Sequence, residues 1–176
     1  MPRTWIVMGV SGSGKSSVGA ALARALDAKF LDGDDLHPRA NLLKMAAGTP
    51  LDDADRAPWL ERINDAAFSL ALKHEAGVIV CSALKRRYRD AIRRDNPQLA
   101  FLFLDGDYAA IAARLRARHG HYQKEVMLRS QFEALEPPGD DEPDVLRIVI
   151  DGTPDQVLAR ALAAVRGYAA AVPGQG

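Results

Sequence analysis

A doubly wound α/β fold is predicted by three features: short apolar runs rich in β-branched residues, helix-period segments between them, and a glycine-rich turn directly after the first run. Near-continuous apolar strands are those buried on both faces, and each parallel return needs a crossover helix, so the alternation implies a parallel sheet with helices on both sides. The strand runs are "TWIVMGV" (4–10), "AKFLDGD" (28–34), "GVIVCSA" (77–83), "LAFLFLDG" (99–106) and "LRIVID" (146–151). After the first run, "KSSVGAALARAL" puts Val18, Leu22 and Leu26 on one helical face. After the second, "PWLERINDAAFSLAL" does the same with Leu60, Ile63, Ala67 and Leu70, and Pro58 is expected in that helix's opening turn, where a missing N–H costs nothing. A later helix, "ARLRARHGHYQKE", is expected to break at Gly120. The acidic, proline-broken "EPPGDDEPD" (136–144) reads as a loop without evident chemistry, and "AAAVPGQG" (169–176) as a fraying tail. With no internal repeat or low-complexity tract, residues 1–176 are expected to form one domain.

Composition narrows the function. Lys plus Arg and Asp plus Glu are 23 each, so the net charge is zero and no overall field draws the chain to nucleic acid or an anionic membrane. Lys85, Arg86, Arg87, Arg89, Arg93 and Arg94 form a basic tract, but no aromatic platform beyond Tyr88 accompanies it, and it reads as a solvated helix face. One cysteine, Cys81, excludes an intrachain disulfide, and no apolar run reaches the roughly 18 residues of a membrane span. A cytoplasmic protein is expected.

The glycine-rich turn carries the first chemistry. "GVSGSGKSS" comprises Gly9, Val10, Ser11, Gly12, Ser13, Gly14, Lys15, Ser16 and Ser17, and fits G-x-x-x-x-G-K-[ST] between a strand and a helix. Its backbone N–H groups and the helix N-terminus suit phosphate oxygens. Lys15 is expected to reach the β- and γ-phosphates of ATP or GTP, and the Ser16 hydroxyl to ligate Mg²⁺. No N-K-x-D guanine-reading motif is present and the chain is short for a motor, so phosphoryl transfer is expected rather than switching.

Transfer needs an acceptor side. Asp32, Asp34 and Asp35 lie at the carboxyl end of the second strand, where open parallel sheets bind ligands. Asp32 and Asp34 are two apart, hence on one face if the strand continues; Asp34 is assigned to the acceptor hydroxyl and Asp32 to the metal's water shell. The other reading of the same residues is an Asp-Gly turn that caps the next helix. His37, before Pro38, reads as a structural hydrogen-bonding group ahead of a catalytic one. Ser82 stands where many phosphate-loop ATPases carry a metal-binding aspartate, and Asp105 of "FLFLD" reads as a turn residue. Lys85 comes after the third strand, within reach of an anionic acceptor. Arg114 and Arg118, four apart, share a helix face from which one guanidinium can cover the adenine and the other clamp the moving phosphate; surface arginines would look the same. His119, Gly120 and His121 come next as a hinge and flap that would exclude water.

The set "MGVSGSGKS", "FLDGDDLHP", "DRAPWL", "NDAAF", "CSALKRRYRD", "RARHGHY" and "QFEALEPP" closely resembles the bacterial gluconokinases, small phosphate-loop kinases, from about residue 5 to 151. The resemblance implies ATP-dependent phosphorylation of D-gluconate to 6-phospho-D-gluconate. The wider group, with shikimate and nucleoside monophosphate kinases, implies a five-stranded parallel sheet in the order 2-3-1-4-5 and a lid, here roughly 114–127. By likeness to shikimate kinases, Asp34 would contact the acceptor hydroxyl and Arg56 its carboxylate. The glycine-rich turn that those enzymes carry after strand three is replaced here by "SALKRRY", which makes Lys85 a gluconate-contact candidate. "IDGTPDQV" resembles the adenine-side loop and makes Thr153 and Pro154 nucleotide-contact candidates. A homodimer is implied by the resemblance alone. Residue spacing by itself leaves open a kinase for another small anionic acceptor, shikimate-like or a nucleotide, and a nucleotide-binding regulator without turnover.

Overall fold

The computed structural model describes residues 3–119 and 122–172. Five strands, β1 (Thr4–Met8), β2 (Lys29–Asp32), β3 (Gly77–Val80), β4 (Leu99–Asp105) and β5 (Val145–Val149), form one sheet in the order β2-β3-β1-β4-β5. All four pairings are parallel, with Ile6 opposite both Ile79 and Phe101. Helices alternate with the strands: α1 (Lys15–Ala25), α2 (Arg39–Ala46), α3 (Asp53–Leu72), α4 (Arg86–Arg93), α5 (Tyr108–His119), α6 (Tyr122–Ala134) and α7 (Pro154–Ala171), with a 3₁₀ turn at Gly33–Leu36. The expected fold class and strand order are those observed.

Period-two alternation divides the core. Trp5 and Val7 of β1, Val78 and Val80 of β3, and Leu102 and Leu104 of β4 face a layer completed by Val18 and Leu22 of α1, Ile111 of α5 and Val157 of α7. Ile6, Met8, Ile79, Phe101 and Phe103 face the opposite layer, against Trp59, Ile63 and Ala67 of α3 and Ile92 of α4. Burial on both faces makes these strands read as continuous apolar runs. The central β1 delivers its carboxyl end, and the turn from Gly9, to the middle of the sheet edge where ligands bind.

Four expectations change. The first three strands end before the sequence suggests, because the phosphate loop, the 3₁₀ turn and the Cys81–Lys85 segment take over as ladder pairing stops. Second, α3 begins at Asp53, and Pro58 lies inside it. A capping box fixes the earlier start: the Asp52 carboxylate accepts from Asp55 N–H at 2.8 Å, and the Asp55 carboxylate accepts from Asp52 N–H at 2.9 Å. Pro58 removes the bond to the Ala54 carbonyl, but both residues are exposed, so water can take its place. Third, α7 runs through Ala171, into the segment expected to fray; residues 173–176 lie outside the described residues.

The fourth concerns the basic tract, which is an ion-pair network rather than a solvated face. Arg89 and Glu142 have side chains only 1% and 2% exposed. Arg89 Nε and Nη2 donate to the Glu142 carboxylate at 2.8 and 2.7 Å, and Nη1 and Nη2 donate to the carbonyls of Ala83, Leu84 and Glu136. Arg93 bonds Glu142 and Asp144, and Arg86 bonds Asp141. The acidic loop 136–144 is thus the counter-charge of α4, and it fixes the segment after β3 that borders the ligand-binding edge.

Candidate active site

Within the loop after β1, three donors converge on one carbonyl. Val10 C=O accepts from Ser13 N–H at 3.3 Å, from Ser13 Oγ at 2.7 Å and from Lys15 Nζ at 2.9 Å. Ser13 is therefore buried as a loop strut, while Ser16 and Ser17 at the start of α1 are both exposed. Gly14 caps α1 at φ +95°, a left-handed conformation that leaves the first N–H groups of α1 without side-chain caps and open to an anion. Gly12, at φ +78°, lies so close to α5 that a Cβ would meet Leu115 at 2.9 Å.

A cavity of about 340 Å³ opens above the loop. On one side stand Ser11, Gly12, Gly14, Lys15, Ser16 and Ser17; facing them are Asp32 and Asp34; Cys81 and Ser82 form part of the wall, and Arg118 and Gln131 enter from α5 and α6. Strand alternation does not bring Asp32 and Asp34 together, since β2 ends at Asp32. Instead the Asp32 carboxylate accepts from Asp34 N–H at 3.0 Å and caps the 3₁₀ turn, while both residues line the cavity. Asp32 thus caps a turn and also stands on the cavity wall.

The electrostatics separate the groups. Burial lowers the Lys15 pKa below the ordinary lysine value, opposed by the charges of Asp34 and Asp32 among its neighbours. Burial and then the adjacent Asp32 raise the Asp34 pKa above the usual carboxylate value, with His37 and Lys15 pulling it back. Burial pushes the Cys81 thiol up to about 12, so Cys81 is a neutral wall rather than a nucleophile.

His37 is buried, stacked on Trp59 with ring centroids 4.2 Å apart. Asn41 Nδ2 must donate to the Asp55 carbonyl at 2.9 Å, which fixes the amide's orientation, and the same nitrogen lies 3.1 Å from His37 Nδ1. Nδ1 therefore accepts, the proton sits on Nε2, and the ring is neutral. Burial lowers its pKa, and the Arg56 charge lowers it further against the pull of Asp34. The indole N–H of Trp59 donates to the Gly33 carbonyl at 2.7 Å and fastens α3 to the turn that carries Asp34.

Arg56 and Lys85 meet at the ring of Tyr88. Arg56 donates to the Leu51 carbonyl at 2.7 Å, and its guanidinium lies 5.7 Å from the Tyr88 ring centroid. Lys85 Nζ and the Arg87 guanidinium lie 5.6 and 5.8 Å from the same centroid. Asp53 is the carboxylate among them, 3.6 Å from Lys85 and bonded to Arg87 and the Tyr88 hydroxyl. Neither Arg56 nor Lys85 lines the phosphate-loop cavity.

The remaining candidates separate. Arg118 lines the cavity, whereas Arg114 donates to the Ile150 carbonyl at 2.7 Å, at the end of β5. Thr153 and Pro154 open α7, and the Thr153 hydroxyl accepts from Gln156 N–H at 3.3 Å, so that side chain is committed to a cap. The proposed hinge at Gly120 and His121 lies outside the described residues, as does the side chain of His119, so the expected lid, 114–127, is seen only as the end of α5 and the start of α6. Motif reasoning does not single out Gln131: its Oε1 accepts from Ser11 N–H at 2.6 Å, a partnership across 120 residues that no local pattern announces.

A phosphate nest at the centre of a 2-3-1-4-5 parallel sheet, with a carboxylate across a shared cavity, defines a phosphate-loop kinase of the small-molecule type. A family model described as an AAA domain matches residues 5–138. The chain is 56% identical over 149 residues to the thermosensitive gluconokinase of Escherichia coli K12, covering 85% of this chain and 80% of that protein. It is 51% identical over 162 residues to the thermoresistant gluconokinase of the same organism, covering 92% and 93%. A crystal structure of a gluconokinase from Sinorhizobium meliloti 1021 superposes with a TM-score of 0.87 at 42% identity, covering 97% of this chain and 95% of that one. The chain belongs to the gluconokinase family.

Proposed function

We infer that the chain catalyses ATP-dependent phosphorylation of D-gluconate, giving 6-phospho-D-gluconate and ADP. The observation that carries this reading is that the Lys15 loop and the Asp34 carboxylate open onto one cavity, so a terminal phosphate held by the loop faces a base for the acceptor alcohol. Asp34 takes the proton of the terminal hydroxyl, the alcohol oxygen bonds to the γ-phosphorus, and the β–γ bridging bond breaks to release ADP. Lys15 leaves the Val10 carbonyl to offset charge on the phosphates, and Arg118 does so from the α5 side.

Mg²⁺ fits the donor set. Ser16 and Asp32 offer hard oxygen ligands on the same cavity, and an ion that keeps several waters and phosphate oxygens needs few protein ligands. Among the described residues no group of three or more His, Cys, Asp or Glu is arranged so that it could hold a metal ion by itself. When bound, the ion would neutralise phosphate charge.

The anionic end of gluconate is assigned to the cations around Tyr88. Arg56, Lys85 and Arg87 bring three positive charges to that ring against the one carboxylate of Asp53. The neutral His37 offers its Nε2–H as a donor to a sugar hydroxyl between the two ends. Arg114, Thr153 and Pro154 are assigned to the adenine side, the last two through backbone. A cytoplasmic setting agrees with a free buried thiol, and no helix among the described residues is long and apolar enough to cross a membrane. The homodimer implied by the family is checked by light scattering.

A coupled ADP-release assay over sugar acids, shikimate and nucleoside monophosphates tests the reading. Release with gluconate alone is expected; release with another acceptor, or with none, overturns it. Lys15→Ala is expected to reduce turnover by about 10²–10³-fold, the scale of losing one preorganised electrostatic donor, in protein with an unchanged circular dichroism spectrum.

A further inference from the structure

Gln131 of α6 joins the phosphate loop from outside it. Its Oε1 accepts from Ser11 N–H at 2.6 Å, and the residue lines the cavity shared by Lys15, Arg118 and Asp34. A carboxamide has a second end, an NH₂ group with two donors. Among the described residues that end has no hydrogen-bond partner.

A strut for Ser11 would not need an amide. Glutamate at this position would accept the same N–H, and more strongly, because charge-assisted bonds exceed neutral ones. What glutamate could not do is face a phosphate. The neutral side chain combines an acceptor for the loop with donors for an anion, and the cavity it lines is where the loop must hold one.

The position selects which phosphate. The N–H groups at the start of α1 serve the phosphate nearest the helix. The transferable phosphoryl group must lie further out, toward Asp34, where the acceptor oxygen meets it; Arg118 and Gln131 line the cavity alongside. We propose that Gln131 reads the terminal phosphate, donating from Nε2 to the γ-phosphoryl oxygens while its Oε1 holds Ser11, so that the loop prefers a nucleoside triphosphate to a diphosphate. This inference rests on the nucleotide half of the proposed function and is independent of the acceptor's identity.

The test is calorimetric titration of the full chain, without acceptor, using ADP and a non-hydrolysable ATP analogue in the presence of Mg²⁺. Gln131→Ala is expected to weaken analogue binding about ten-fold, the lower end of a hydrogen bond to a charged group. Gln131→Glu, which keeps the acceptor but turns an anion toward the γ-phosphate, is expected to weaken it about a hundred-fold, while ADP affinity stays within about five-fold in both variants. Retained ADP binding also shows that the loop is folded. A glutamate variant that binds the analogue like the parent protein makes Gln131 a strut and overturns the proposal, as does an equal loss of analogue and ADP. Parent protein that binds neither nucleotide overturns the ATP assignment itself and this inference with it, a result distinct from parent and variants binding alike.

Discussion

Asp34→Asn is expected to lower kcat by about 10²–10⁴-fold, the range for removing a positioned general base. The ATP Kd should stay within about three-fold, because an interaction used only with the acceptor does not report on donor binding. The isosteric amide keeps the shape of the turn, whose fold depends on Asp34 N–H and the Asp32 carboxylate rather than on the Asp34 side chain. Two pH effects accompany the change. Burial and Asp32 raise the Asp34 pKa, so the acid limb of kcat/KM in the parent protein should lie above 3.8, and it should vanish in the variant. For stability, a carboxyl whose pKa rises on folding binds more protons in the native state; its contribution is present below pH 3.8 and is lost as pH rises through the folded value. Ionised Asp34 therefore costs stability at neutral pH, and the asparagine variant should have an equal or higher Tm. Acceptor-dependent ADP release at several pH values, nucleotide titration and thermal melts measure these four outcomes. A collapse of ATP binding would make Asp34 a metal or folding residue instead.

The largest stability effect is expected at Glu142. Glu142→Gln should destabilise the fold by about 3–5 kcal/mol, because it leaves the buried Arg89 guanidinium without its counter-charge. Domains of this size are stable by only about 5–15 kcal/mol, so the loss should be plain in urea unfolding. Burial would raise the Glu142 pKa, but the bonds from Arg89 and Arg93 outweigh it and hold the group down to about 2. A carboxylate depressed on folding contributes stability above its unfolded value of 4.5, and that contribution disappears as pH falls from 4.5 toward 2. The parent protein should lose stability across that window and the variant should lose less. Equal acid sensitivity in both would remove Glu142 from the account.

What the sequence makes legible is whatever is written in adjacent residues. The phosphate loop is one contiguous turn whose glycines, lysine and serine keep a fixed spacing, and β1 and α1 frame it as expected. The place of Asp34 is legible for a similar reason, since it comes just after a strand in a sheet whose binding edge topology decides. The Arg89–Glu142 pair, 53 residues apart, is not, because six cations in one tract look alike until the loop that neutralises some of them is folded against it. Gln131 is hidden by the same distance effect. Pro58 misleads because a proline is a stronger local mark than an Asp-x-x-Asp capping box, although here the box sets the boundary.

The Val10 carbonyl has a thermodynamic consequence. It holds three donors, two from Ser13 and one from Lys15, and if the Lys15 ammonium turns to a phosphate the two from Ser13 remain. The lysine exchanges one partner for another instead of being recruited from water, and the loop it leaves keeps its shape. Little ordering entropy then opposes nucleotide binding. Titrations should show a heat-capacity change set by the surface the nucleotide buries, without the added component of a segment that folds on binding.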